Sequence, residues 1–418
     1  MNIKIHKDFN FKIAIFIFLL IDCRFFYLVE FPGMLGGASS NKFMLAVTSI
    51  VIFTFFVVCK RNLNLGRYKN VILMFYVILL LNIFNMKIKW GYRNTQILWF
   101  CIPYCILLMY FVVREYLKKE NNYKVFVNIA EVFCIIVGIL MIIQVAYWNV
   151  NHKLFLFVNV NDYYLYHYNV NLRLYGYCDG LMRITLPLSI YEIIYSNFKF
   201  KNNKIHYISA FIIFISILYV DQSRIYLIIE LVALFVMYIT FKEKKLKVNR
   251  KRFIFLVILA IIAIYILRNN VISVFSSLFD LRNGSRYARV GAISHFIESW
   301  TDWFFSGYGI VIPDEQTKAY SIIKGNMGIY NYDDIGIFGV AVSLGIFAFV
   351  WYLYVLFSLW KMSKAKTKYH SLNKGIFTVF LLSMFTQSYL DNGRIISMML
   401  TLAIVECLSA NFRMEVKV

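Results

Sequence analysis

Residues 125–148 read VFVNIAEVFCIIVGILMIIQVAYW. The run carries one charge, Glu131, and no proline. The hydrocarbon core of a bilayer takes about 20 helical residues, so this stretch is long enough to cross it. A β-strand of ordinary length uses only about 5–6 residues. The segment is therefore read as a membrane helix, and the rest of the chain is read outward from it.

Similar apolar blocks recur on both sides. Counting 125–148, candidate spans fall at 11–31, 43–59, 70–86, 95–113, 184–196, 205–220, 224–241, 253–267, 336–359, 375–390 and 395–410. The fold class expected is an all-α polytopic membrane protein with about twelve transmembrane helices, 1–418 forming a single integral membrane domain. Composition agrees: 61% of the 418 residues are hydrophobic, 16% are charged, and mean hydropathy is +0.65. Soluble domains are about half apolar and about a quarter charged. That excludes a soluble enzyme, a disordered tail and a disulfide scaffold. The run 11–31 lacks a small-residue cleavage site and is expected to be the first span rather than a removable leader.

The net charge is +22. In a soluble chain that would suggest a nucleic-acid partner. Here 28 of the 44 Lys and Arg fall in 1–12, 60–69, 114–124, 197–204, 242–252, 361–374 and 411–418. These alternate with outer segments, and short cytoplasmic loops collect Lys and Arg. The charge is thus a topology signal: both termini inside, an even number of spans and no nucleic acid. Of the seven cysteines, only Cys178 falls in an external loop; the others sit in apolar runs. One external thiol makes neither a disulfide framework nor a metal site.

Two outer loops are long, 149–183 and 268–335. Loops beyond about 15 residues are usually functional or disordered, and these are rich in aromatics. Six tyrosines lie between 163 and 177, among them Tyr164 and Tyr168. A tyrosine ring pairs a flat apolar face with a hydroxyl, which suits a saccharide. An interfacial aromatic belt is the alternative.

The second loop contains NGSRYARVGAISHFIESWTDWFFSG, 283–307. Ser285 can cap a helix and Gly307 can end it. At helical spacing, Arg282, Arg286, Arg289, Ile293, Phe296, Ile297, Trp300 and Phe304 share one face, expected to be buried. His295, Glu298 and Asp302 fall on the opposite, solvated face. Arginines at the end of a buried stripe need anionic partners, and the guanidinium fork matches phosphate. The alternatives are an internal salt bridge or snorkelling to headgroups. Arg224 is a second candidate, in the outer turn Asp221-Gln222-Ser223-Arg224. A third is the pair Asp333-Asp334, before the span that starts at Gly336. Carboxylates there either serve a site or merely favour the helix N-terminus.

These features occur in a definite order: an outer Ser-Arg at a helix start, then a long outer loop with Arg289, an aromatic-striped helix and Gly307-Tyr308-Gly309, then a Gly-rich span from Gly336 to Gly345. In that order and placement the chain resembles the O-antigen polymerase (Wzy-type) and O-antigen ligase superfamily. The resemblance implies a GT-C-like membrane glycosyltransferase in a bacterial inner membrane, with its active site facing the periplasm. It implies a polyprenyl-pyrophosphate-linked glycan donor, membrane lipids as surroundings, a chain-length regulator as partner, and neither metal nor cofactor. Carried over residue by residue, Arg224 and Arg289 bind the donor pyrophosphate; Arg286, on the same helix face as Arg289, is a further phosphate candidate by its position, and Tyr308, Tyr164 and Tyr168 are candidate glycan contacts by residue type. Ligases place a His-Asn pair where this chain has Asp333-Asp334, which favours a polymerase and leaves these carboxylates as the candidate catalytic base. Spacing to Gly345 favours Asp333. An O-antigen ligase acting on lipid A-core and a flippase for lipid-linked oligosaccharides are the competing expectations.

Overall fold

The computed structural model describes residues 10–29, 38–60, 65–157, 163–165, 172–174, 178–195, 204–243, 284–310, 318–325, 328–390 and 394–410. Among these the protein is a helical bundle. Helices α1 (Phe11–Asp22), α2 (Ala38–Cys59), α3 (Lys69–Trp90), α4 (Asn94–Cys101), α5 (Met109–Leu117), α6 (Glu120–Asn151), α7 (Asp179–Tyr195), α8 (Lys204–Ile215) and α9 (Arg224–Glu243) form the first part. Helices α10 (Gly284–Glu298), α11 (Trp300–Trp303), α12 (Lys318–Lys324), α13 (Gly336–Leu344), α14 (Ile346–Ser363), α15 (His370–Ser383) and α16 (Ile395–Ala410) follow.

Among the described residues, six helical segments are long and apolar enough to cross a membrane: Asn41–Cys59, Lys69–Trp90, Asn94–Leu117, Glu120–Asn151, Lys204–Asp221 and Ile346–Ser363. Their outward side chains are apolar too. Phe55, Leu73, Phe84 and Phe357 are all exposed, as expected of a surface that meets lipid rather than water. The protein is therefore an all-α membrane protein. One small exception is an antiparallel hairpin in the first long loop, β1 (Tyr163–Leu165) against β2 (Leu172–Leu174).

Several expected spans are redrawn. The run 11–31 does not continue as a helix: α1 stops at Asp22, which is buried and pairs with Lys42 Nζ at 3.1 Å. The run 336–359 is two helices, because Gly345 adopts φ 85°, ψ 177° between α13 and α14. Only glycine holds that conformation readily. The run 375–390 ends as a helix at Ser383 and continues as turns. The run 95–113 bends into a 3-10 stretch, Ile102–Leu108, around Pro103. The span expected at 253–267 lies outside the described residues.

Segments that the charge pattern assigns to one side do meet at one end of the bundle. Lys60 pairs with Glu115, and Lys368 with Glu120 at 2.6 Å. Buried Glu406 accepts from Arg114 Nε at 2.7 Å and from the Arg67 backbone at 3.1 Å. Ser409 Oγ donates to the Met362 carbonyl at 3.0 Å. The segments assigned to the other side meet at the opposite end. There the Phe157 N–H donates to the Tyr27 carbonyl at 3.1 Å, and Arg173 Nε to the Asp221 carbonyl at 2.6 Å.

Candidate functional site

The second long loop is seated on this latter end by backbone carbonyls caught by a membrane helix. Near the end of α3, Asn82 Nδ2 donates to the Ser306 and Ser343 carbonyls, both at 3.2 Å. Asn85 Nδ2 reaches the Gly307 carbonyl at 2.8 Å, and Trp90 Nε1 the Tyr308 carbonyl at 2.5 Å. The break between α13 and α14 completes the seat. Tyr308 and Gly309 N–H groups donate to the Val342 and Ser343 carbonyls, each at 2.8 Å, and Ile346 N–H donates to the Phe304 carbonyl at 2.8 Å. Gly307, at φ 72°, lies so close to the Ser343 carbonyl that a Cβ has no room. Helix α10, which lies earlier in the same loop, is thereby docked on the membrane bundle.

Arg289 projects from α10 into a cleft of about 100 Å³ shared with Ala288, Ile329, Asn331 and Asp334. The far wall is held in place by Tyr330. Its ring fills the space left by Gly291 and lies 5.3 Å from the ring of His295. Asn331 organises the turn that carries the carboxylates: its Oδ1 accepts from the Asp333 N–H at 3.4 Å, and its Nδ2 lies 3.5 Å from Asp334 Oδ2. Asp333 and Asp334 sit in a 3-10 turn, Tyr332–Asp334, ahead of α13, whose N-cap is Ile335. Among the described residues, Arg289 Nε is buried and makes no hydrogen bond. An unsatisfied buried guanidinium nitrogen costs about 1–3 kcal/mol or more; an anion in the cleft would remove that cost. Pockets that enclose whole small ligands run to about 300–1,000 Å³. This cleft has room for one small group and not for a whole ligand.

The orientation of α10 corrects the sequence reading. Ala292 and Phe296 are fully buried, whereas Ile297 is 55% and Trp300 52% exposed. His295 does not face solvent: its Nε2 donates to the Ile322 carbonyl at 2.7 Å and its ring packs against Phe296. An apolar stripe marks what avoids water, and at a membrane surface that includes lipid. The protein-facing side of α10 is the one that carries Arg289, Ala292 and Phe296. Ser285 is the second residue of α10, and its side chain is not among those described. Tyr308 is 1% exposed and packs against Trp90 and Phe296. Burial pushes its hydroxyl above the usual tyrosine range. It is a packing residue and offers no ring face to a sugar.

The turn before Arg224 is also built as a scaffold. Gln222 takes a left-handed conformation, φ 50°, and its Nε2 contacts the Leu172 carbonyl at 3.4 Å. Ser223 Oγ caps α9 by accepting from the Tyr226 N–H at 3.4 Å. Arg224 is the first residue of α9; its side chain and that of Arg286 are not among those described. Tyr164 lies in β1 opposite Arg173. Arg282 and Tyr168 lie outside the described residues.

The structure adds a residue that the sequence reading passed over. Arg183, one turn into α7, is 2% exposed; its guanidinium lies 4.4 Å over the Tyr226 ring, and Nη2 donates to Gln387 Oε1 at 2.8 Å. The sequence reading ends the first outer loop at 183 and so treats this arginine as a loop residue; α7 starts at Asp179 and places it inside the helix, where an arginine is a functional candidate by default. Gln387 links the two arginine regions. It follows Met384, whose carbonyl accepts from the Ile337 N–H at 2.7 Å, just after the Asp333–Asp334 turn. Arg183 thus connects Tyr226 of α9 to the segment 384–387, which itself contacts Ile337 after the Asp333–Asp334 turn.

No protein-family model matches the chain, and no curated protein is similar to it.

Proposed function

We propose that this protein is a metal-independent membrane glycosyltransferase of the GT-C type with about twelve spans. In this reading it is a polymerase that joins polyprenyl-pyrophosphate-linked oligosaccharide repeat units on the outer face of a bacterial inner membrane. The observation that carries the reading is the cleft in which Arg289, with a buried and unsatisfied Nε, stands across from Asp334 and Asn331. A guanidinium and a carboxylate facing one space are what a group transfer from a lipid pyrophosphate requires. The hydroxyl of the acceptor repeat unit attacks the anomeric carbon of the donor. The bond from that carbon to the pyrophosphate oxygen breaks, and negative charge grows on the leaving group. Arg289 and Arg224 stabilise that charge; preorganised donors of this kind supply the larger part of many such accelerations. Asp334 takes the proton from the attacking hydroxyl. Because the cleft admits a single anionic group, the lipid tail and glycan extend away from it along the outer surface, where Tyr164 and Tyr168 are candidates for glycan contact.

Purified protein in liposomes, supplied with lipid-linked repeat units and lipid A-core, tests the reading. The expected product is a ladder of longer lipid-linked glycans. Transfer to lipid A-core instead identifies a ligase, and movement of the lipid-linked unit without a new glycosidic bond identifies a flippase.

A further inference from the structure

Cys23 lies at the end of α1 and Cys178 immediately before α7, 155 residues apart in sequence, yet their Sγ atoms are 3.1 Å apart. Both are buried, 0% and 3% exposed. The sequence alone places Cys178 as the one external thiol; the early end of α1 brings Cys23 to the same end of the bundle. Cys134 of α6 also adjoins Cys178. The backbone beside both thiols is strained. Arg24, Phe25, Phe26 and Tyr27 all take positive φ, between 47° and 61°, and Cys178 takes φ 50°. Residues other than glycine rarely hold such conformations unless their surroundings fix them. The turn is held by the Phe26 N–H donating to the Cys23 carbonyl at 2.8 Å, the Phe157 N–H to the Tyr27 carbonyl at 3.1 Å, the Phe26 ring 5.3 Å from that of Phe133, and Arg24 over the Tyr27 ring at 5.3 Å.

We infer that Cys23 and Cys178 are joined by a disulfide in the native protein. The inference rests on the reading that this end of the bundle faces away from the cytoplasm, where disulfides form and persist. An S–S bond is about 2.0 Å long, so side-chain rotation must close about 1 Å. The oxidant is a thiol–disulfide oxidoreductase of the outer compartment. One cysteine thiolate attacks the donor's disulfide, giving a mixed disulfide and one donor thiolate. The second cysteine thiolate then displaces the donor's other sulfur. The two cysteines lose two electrons and two protons, and the donor leaves as its dithiol. Both thiols are closed off in the folded protein, so the exchange belongs to folding. The bond ties the strained turn after α1 to the start of α7, the helix that carries Arg183.

The test is a thiol map of the full-length protein. Membranes are denatured in N-ethylmaleimide without reductant, digested and analysed by mass spectrometry. The expected result is a cross-linked peptide holding Cys23 and Cys178, with Cys134 alkylated. After reduction, all three carry the label and the thermal transition of the purified protein falls by several degrees. Alkylation of both Cys23 and Cys178 without reduction overturns the inference, as does a link from Cys134 to either. A second arm separates the reasons for failure. If refolding the reduced, denatured protein into detergent with oxidised glutathione forms a Cys23–Cys178 bond that the membranes lacked, the thiol contact is right and the assigned side is wrong. If the bond fails to form even then, the contact is wrong, and the reporter fusions at Asp314 and within 242–252 test the side independently. Neither arm reads glycosyl transfer, so neither depends on the proposed activity.

Discussion

At the scale of single residues, Asp333 and Asp334 separate two roles that sequence spacing cannot tell apart. Spacing to Gly345 favours Asp333, yet it is Asp334 that lines the cleft with Arg289. The side chain of Asn331 meets both: it caps the turn at the Asp333 N–H and lies beside Asp334 Oδ2. A carboxylate that accepts a proton and one that only favours a helix start respond differently to Asn. Asn keeps the shape and caps about as well as Asp, but it cannot take a proton. The expected outcome is that Asp334→Asn lowers turnover by about 10²-fold or more, the usual worth of a general base, while donor binding persists. Asp333→Asn should stay near wild type. Steady-state kinetics on the two purified variants decides it, and equal activity in both removes Asp334 as the base.

At the scale of elements, the seat of α10 depends on the helix break at Gly345 and on the close approach at Gly307. Alanine at Gly345 must hold a φ of 85° against the Phe305 carbonyl, and left-handed backbone alone costs about 1–2 kcal/mol. Gly345→Ala is expected to lower the melting temperature and the activity together, because it loosens the loop that positions Arg289. Asn82→Leu keeps the volume and apolar character of α3 but strips two carbonyl contacts; it should reduce activity more than it reduces the melting temperature. Thermal melts and transfer rates on the same preparations check both. The positions of most long helices were legible in the sequence because some twenty apolar residues in a row suit little besides a membrane helix. The break at Gly345 was not, since hydropathy sees a small neutral residue and not its φ. The face of α10 was hidden for a related reason: Ile297 and Trp300 avoid water equally well in protein or in lipid. Asn82 stands out as polar in an apolar run, but nothing nearby in sequence shows that its partners are carbonyls more than two hundred residues away.

At the scale of the whole molecule, the charge pattern and the contacts agree on which loops share an end. They do so through pairs such as Lys368 with Glu120 and Lys60 with Glu115, which join segments that the basic loops alone group. Which end faces the cytoplasm rests on the positive-inside rule. A reporter fused at Asp314 should be active only when exported, and one fused within 242–252 only in the cytoplasm; the reverse pattern would invert the orientation and remove the outer site. The proposed chemistry requires arginines at the outer end to hold the pyrophosphate of a lipid-linked glycan while the chain grows. The decisive measurement is chain extension by purified Arg289→Ala and Arg224→Ala proteins, run beside wild type on lipid-linked repeat units. No extension is expected from either variant at normal expression and folding, with poor rescue by Lys, which keeps the charge and loses the fork. Polymer of wild-type length from both alanine variants would contradict the pyrophosphate role.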